Sequence, residues 1–170
     1  AFFAIYEALL TNDPDGNDNH QLATSFTKSA DGMEYRFDID PAGKFHSGKP
    51  ANAAAVADFL AFFKATSFIA TLAAPVASYE SEGDQLVVKM NNPWVGALGP
   101  HKTGYFRVLC MDTWNEAGGM ESTTYGTEIA DGTGPFTHEE FVPGSHVLVK
   151  RWEYYPGSNT EFFENKGKAY

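Results

Sequence analysis

Basic residues are scarce. The 170-residue chain holds 12 Lys plus Arg against 22 Asp plus Glu, a formal net charge of −10. Nucleic-acid binding draws on clustered Lys and Arg that displace counterions from phosphates, and the densest basic stretch here is the pair Lys150-Arg151. Charge therefore excludes nucleic acid as a partner, and argues equally against anionic membrane surfaces. Cysteine occurs once, at Cys110, which rules out an intramolecular disulfide and a two-thiolate zinc site. Flanked by Val108-Leu109 and Met111, it reads as a buried apolar residue and not as a reactive thiol. Long hydrophobic runs are missing too. No window approaches the ~20 apolar residues of a membrane helix, and the longest candidate, 56–77, is broken by Asp58, Lys64 and Pro75. The apolar start, Ala1-Phe2-Phe3-Ala4-Ile5, has no basic flank and no cleavage motif. It reads as an element entered in mid-course, in a mature or truncated chain.

Signatures of catalysis and of metal binding are equally thin. No Gly-x-Ser-x-Gly elbow is present. Glu139 and Glu140 are adjacent, so on a strand they face opposite ways and cannot share an acid–base task. The five histidines, His20, His46, His101, His138 and His146, show no i, i+4 pair and no HExxH frame. Asp13, Asp15, Asn17 and Asp18 evoke a calcium loop, but Gly16 falls too early for one, and a solvated turn accounts for them. The Gly132-Thr133-Gly134 stretch is not followed by the lysine of a phosphate loop. The expectation is a chain that is not an enzyme and holds no cofactor and no resident metal.

What is present is a core and many rings. Hydrophobic residues make up 43% of the chain, and 14 Phe, 8 Tyr and 3 Trp bring aromatics to 15%. Residues 2–10 form an apolar run that fits a short helix or a buried strand. Asn12 to Asn17 is a dense turn signal. Residues 21–28 lead into Asp31-Gly32, a hairpin turn. Tyr35, Phe37 and Ile39 then alternate with Arg36, Asp38 and Asp40, the period of a half-buried strand. After a loop from Pro41 to Pro50, Asn52 is the N-cap of a helix over 53–65 whose Val56, Phe59, Leu60 and Phe63 share a face. Ser67 to Val76 either extends that helix or begins a second one ended by Pro75. Strands at 77–80 and 84–90 flank Glu82-Gly83, with Leu86, Val88 and Met90 set against Val87 and Lys89. Gly96 to Gly104 is loop-like, Tyr105 to Met111 reads as a strand, and 118–126 as a long loop. Gly132 and Gly134 let the backbone turn sharply at 131–135, and two strands, 136–141 and 147–152, are joined by Pro143-Gly144. The fold class is α+β, a mixed sheet with antiparallel hairpins and one or two helices.

Among the rings, Trp94, Tyr105, Trp114 and Trp152 are candidates to flank a ligand. Arg107, beside Tyr105 and Phe106, suits a bidentate pair with a ligand carboxylate. Against this stands a plainer reading, in which the rings pack between hairpins and Arg107 makes a surface ion pair.

Three segments in order carry a family resemblance. The first is Leu22-Ala23-Thr24-Ser25-Phe26 followed by Ser29-Ala30-Asp31-Gly32-Met33-Glu34-Tyr35-Arg36-Phe37. The second is Gly43-Lys44-Phe45-His46-Ser47-Gly48-Lys49-Pro50 with Ala54-Ala55-Val56. The third is Gly132-Thr133-Gly134-Pro135-Phe136 with Val142-Pro143-Gly144 and Val147-Leu148-Val149-Lys150-Arg151. Together with Tyr6-Glu7-Ala8-Leu9 upstream, they resemble the family 5 solute-binding proteins of ABC importers, which include oligopeptide-, dipeptide- and nickel-binding proteins. The match is weakest over 66–128. Ser47 stands where the family usually has Asp, and Trp152-Glu153-Tyr154 where Asn-Pro-Asp is common. The resemblance implies one lobe of a periplasmic-binding-protein type II-like fold spanning 1–170, with 11–128 as a smaller subdomain and 129–155 as strands returning to the main lobe. It implies capture of a peptide-like or other small solute in a two-lobe clamp, with an ABC transporter permease and the missing second lobe, or another chain, as partners. A stand-alone accessory or structural module derived from such a lobe is the alternative. It further implies a periplasmic or extracytoplasmic location, membrane-anchored if the full-length chain is a lipoprotein. The expected ligand-binding residues are Tyr6, Glu7, Trp94, Tyr105, Arg107, Thr133 and Gly134.

Overall fold

A computed structural model describes residues 2–12, 15, 17–66, 70–93, 96, 99–102 and 106–156. Its centre is an antiparallel sheet of four strands in the order β3-β4-β6-β5, where β3 is Ala23–Lys28, β4 Glu34–Ile39, β5 Val76–Glu82 and β6 Gln85–Met90. The sequence dictates the register. Tyr35, Phe37 and Ile39 are each no more than 3% exposed; Tyr35 and Phe37 pair with Val88 and Leu86 of β6, and Ile39 pairs with Ala23 of β3. The turns form where glycine accepts a left-handed backbone: Gly32 has φ 72° and Gly83 φ 59°. Val87, expected on the solvent side of β6, is fully buried. It lies in an inner strand between Arg36 and Glu80, and such long side chains cover apolar neighbours with their stems. The same face carries ion pairs from Arg36 to Glu34 and Glu82 and from Lys89 to Glu80.

One long helix, α2 (Ala53–Thr66), covers the other face of this sheet and packs mainly on β5. The Asn52 side-chain oxygen accepts from the Ala55 N–H at 3.1 Å, which satisfies one of the orphan donors of the first turn. Val56 and Leu60 are fully buried against Phe37, Leu86 and Val88 in one core cluster. Each such side chain contributes roughly 1.5–3 kcal/mol of burial.

Shorter elements frame this unit. The apolar start is a single helical turn, α1 (Phe2–Ile5), followed by an extended segment into β1 (Leu10–Asn12), which pairs with β2 (Asp18–His20). Ala70–Ala73 is a 3₁₀ turn; residues 67–69 lie outside the described residues. The loop expected over 96–104 contains a helical turn, α3 (Gly99–Lys102), whose buried His101 meets the Tyr79 hydroxyl at 3.1 Å. A strand over 105–111 does not form among the described residues. The Val108 N–H donates to the Glu7 carbonyl and the Cys110 N–H to the Asp131 carbonyl. Two different partners give an extended bridge and no ladder, and Met111 opens a helix, α4 (Met111–Glu116). The loop over 118–126 holds a 3₁₀ turn at Gly119–Glu121. Finally β7 (Phe136–Val142) and β8 (His146–Arg151) form a hairpin around Gly144, whose φ is 75°. Every ladder among the described residues is antiparallel, and a single parallel bridge joins Tyr125 to Ile129. The α+β class stands.

Candidate functional site

The segments singled out in the sequence converge on the extended stretch after α1. The Gly134 N–H donates to the Ile5 carbonyl at 2.8 Å. A β-carbon on Gly132 would lie 2.2 Å from that carbonyl oxygen, and one on Gly134 2.5 Å from the carbonyl oxygen of Ala4. Neither glycine has a positive φ. The backbone does bend at 133–135, as the sequence suggested, and the glycines also permit this close backbone approach. The loop after β4 docks on the same segment. The His46 N–H donates to the Gly132 carbonyl at 2.9 Å, and its ring Nε2 meets the Gly134 carbonyl at 2.8 Å. That contact makes Nε2 the protonated nitrogen of a neutral ring, and burial holds the His46 pKa below its usual value. Asp131, 3% exposed, accepts from the Ser47 N–H and the Thr113 hydroxyl.

This clamp fixes two consecutive residues, Tyr6 and Glu7, with their side chains toward two different cavities. Alternation along an extended segment produces that split. Tyr6 lines an open cavity of about 440 Å³ together with Phe62, Arg107, Trp114, Tyr125 and His138. Its rings form a continuous wall: Phe62 to Trp114 at 6.0 Å between centroids, and Trp114 edge-on to Tyr125 at 5.2 Å. Burial pushes the Tyr6 hydroxyl up to about 12, opposed by a hydrogen bond with Tyr125. Burial also raises the Tyr125 hydroxyl, so both phenols stay neutral hydrogen-bonding groups. Arg107 is buried beside them and donates from Nη1 to the Tyr6 carbonyl. Its burial corrects the expectation of a surface ion pair; Glu7 favours its charge while desolvation opposes it. An aromatic wall with one guanidinium and two phenols can hold an apolar body and orient a polar group.

Glu7 lines the second cavity, also about 440 Å³, with Thr133, Trp152, Tyr154 and Tyr155. Burial pushes its carboxyl up to about 7, and the approach of Tyr155, Thr133 and Arg107 works in the opposite direction. The Tyr155 hydroxyl donates to Oε1 at 2.7 Å.

Of the seven expected site residues, Tyr6 and Arg107 line the aromatic cavity, and Glu7 and Thr133 line the other. Gly134 is buried against the start of the chain, while Trp94 and Tyr105 lie outside the described residues. The sequence did not mark Phe62, Tyr125 or His138 as cavity residues. Tyr125 sits in a Ser/Thr-rich stretch that carries no signal of burial, and Phe62 lies off the apolar face of α2 that periodicity picks out.

The described residues form a lobe of hairpins and one covering helix that bears an aromatic-walled cavity. The chain belongs to the bacterial extracellular solute-binding proteins, family 5, whose middle-region model matches residues 19–170. No curated protein matches the sequence. Among solved structures it is similar to NikA from Brucella suis in complex with Fe(III)-EDTA, at 24% identity and a TM-score of 0.77, over 92% of this chain and 32% of that one. It is similar to the oligopeptide-binding protein AppA from Bacillus subtilis in complex with a nonapeptide, at 21% identity and 0.77, over 89% and 31%. It is also similar to NikZ from Campylobacter jejuni in complex with Ni(L-His), at 20% identity and 0.78, over 89% and 31%. At these identities the likeness is one of fold, and the chain spans about a third of the length of each.

Proposed function

We propose that this chain is the first lobe of a two-lobe clamp that captures a solute, peptide-like by default, and delivers it to an ABC importer. The observation that carries the reading is the aromatic-walled cavity containing Tyr6, Arg107, Trp114 and Tyr125. Concave, ring-lined sites with a few polar groups hold small ligands, and closure of a second lobe over such a wall is a hinge motion driven by differential affinity. Family membership supports the solute-holding role and an extracytoplasmic location, with membrane anchoring if the full-length chain is a lipoprotein. Similar structures carry a nonapeptide, a nickel–histidine complex and an iron chelate. Tyr6 and Arg107 are the residues proposed to touch the solute, the guanidinium meeting a carboxylate. Within the lobe, 11–128 forms the smaller subdomain, and 129–155 returns to pack against the start of the chain. The protein holds its solute and does not transform it.

The test is native mass spectrometry of the protein isolated from its source. A small molecule released from the folded protein supports the clamp. A second polypeptide without any small molecule would overturn it in favour of an accessory module derived from a binding-protein lobe. The isolated 170-residue chain is expected to show no calorimetric signal with peptide mixtures below millimolar concentration, because half of the clamp wall is absent.

A further inference from the structure

We propose that the aromatic cavity takes an aryl carboxylate with no ammonium group beside its ring, and that His138 is the anchor which, with Arg107, holds the acid end. The inference rests on the solute reading above and narrows it. Strand β7 supplies the geometry. In a regular strand His138 and Phe141, three residues apart, would face opposite ways. Here the register with β8 slips between them: His138 pairs with Val149, Glu140 with Leu148 and Phe141 with Val147. The extra residue makes a β-bulge, a device that re-aims side chains. His138, Phe141 and Val147 consequently line one cavity. The His138 ring Nε2 is shielded from solvent and has no hydrogen-bond partner among the described residues, whereas buried polar atoms usually have one.

The rest of the lining sets the chemistry. Phe59, Phe62, Phe63, Trp114 and Phe141 offer faces and edges to a planar apolar body. The polar side chains are Arg107, Tyr6, Tyr125 and His138. Tyr6 and Tyr125 are engaged with each other. Arg107 is 8% exposed; a guanidinium presents N–H donors and no acceptor, and its Nη1 holds the Tyr6 carbonyl. No Asp or Glu among the described residues lines this cavity. Glu7, which favours the charge on Arg107, lines the other one. An ammonium group here would therefore face Arg107 with no carboxylate in the lining, and burying a cation beside a like charge is costly. A carboxylate suits the guanidinium and can also accept from an N–H at His138 Nε2. This chemistry has two sources. One is a free aryl acid. The other is the C-terminal aromatic residue of a peptide, whose α-nitrogen is an uncharged amide.

The experiment titrates the protein, followed by ligand NMR, with compounds that share a phenyl ring: hydrocinnamate, N-acetylphenylalanine, hydrocinnamyl alcohol and phenylpropylammonium. Both carboxylates should bind saturably, in the millimolar range expected of one half of a clamp. The alcohol should bind about tenfold more weakly, and the ammonium more weakly still. Tighter binding of N-acetylphenylalanine than of hydrocinnamate assigns the site to a peptide C-terminus, and the reverse to a free acid. His138 is half-buried. His138→Leu should cut the preference for acid over alcohol about threefold or more and leave the affinity for the alcohol within about twofold. A purely structural role would weaken both alike. His138→Gln, which keeps an N–H donor, should recover part of the preference. Equal affinity for acid and alcohol, ammonium binding as tight as the acid's, or an unchanged preference in both folded His138 variants would each overturn the proposal while leaving the cavity a solute site. Failure of every ring compound to bind the folded protein at any soluble concentration would overturn the solute reading as well.

Discussion

Replacing Glu7 by Gln should make the protein more stable at neutral pH, by an amount that depends on pH in a stated direction. The folded carboxyl is raised from 4.5 to about 7, chiefly by burial. The folded state therefore holds this proton more tightly than the unfolded chain does. Below pH 4.5 both states are protonated and Glu7 costs nothing. As pH rises through 4.5 to about 7 the unfolded chain ionises first, and stability falls; above about 7 the loss is complete. The gap between the two values corresponds to about 3 kcal/mol, most of it accrued between pH 5 and pH 8. Gln has the same shape, can accept from the Tyr155 hydroxyl that now meets Oε1, and has no proton to lose. His46 acts in the opposite sense: burial lowers its pKa, so its contribution is lost as pH falls below 6.5. That term is common to both proteins and cancels in their difference. Urea unfolding of wild type and Glu7→Gln at pH 5, 6, 7 and 8 measures the difference directly. It should be small at pH 5 and grow to about 3 kcal/mol in favour of Gln at pH 8. A difference that stays constant across this range would refute the buried, proton-holding carboxyl.

Further expectations concern packing. Gly134→Ala places a β-carbon 2.5 Å from the Ala4 carbonyl oxygen, and about 3 kcal/mol of stability should be lost in the same urea assay. Gly99→Ala, whose new carbon meets no atom within 4 Å among the described residues beyond its own helix and chain neighbours, should cost nothing or stabilise by less than about 1 kcal/mol. Asn52→Ala removes the 3.1 Å cap of α2 and should cost about 1 kcal/mol, read as a shift in Tm. Cys110 is 2% exposed, so a thiol reagent should label it slowly in buffer and rapidly in denaturant; rapid labelling of the folded protein would contradict its burial.

Legibility from sequence followed the locality of the interactions. The β3–β4 and β5–β6 hairpins were readable because turn glycines and period-two burial are recorded within a few residues of one another, as at Asp31-Gly32 and Tyr35-Phe37-Ile39. The helix after Asn52 was readable for the same reason. The segment 105–111 looked like a strand because its residues are apolar, yet its hydrogen bonds go to Glu7 and Asp131, on either side of it in the sequence and remote from each other. No local pattern encodes that bridge. Gly132 and Gly134 were conspicuous, but the sequence could not say that their missing side chains make room for Ala4 and Ile5. The two cavities were illegible for a related reason. Tyr6 and Glu7 stood out as a pair, whereas their divergence into separate spaces depends on Thr133, Trp114 and Tyr125, all more than 100 residues away.

The central claim is that the aromatic cavity holds a solute. Trp114 lies in its wall, 6.0 Å from Phe62, so its fluorescence reports directly on occupancy. The decisive measurement is a titration of the protein isolated from its source, stripped of bound material, with the small molecule that copurifies with it. The account predicts a saturable change in Trp114 emission for the wild type and at least about a tenfold loss of affinity in Phe62→Glu, which places a charge in the apolar wall. Equal affinity in the two proteins, or binding without any change at Trp114, would contradict it.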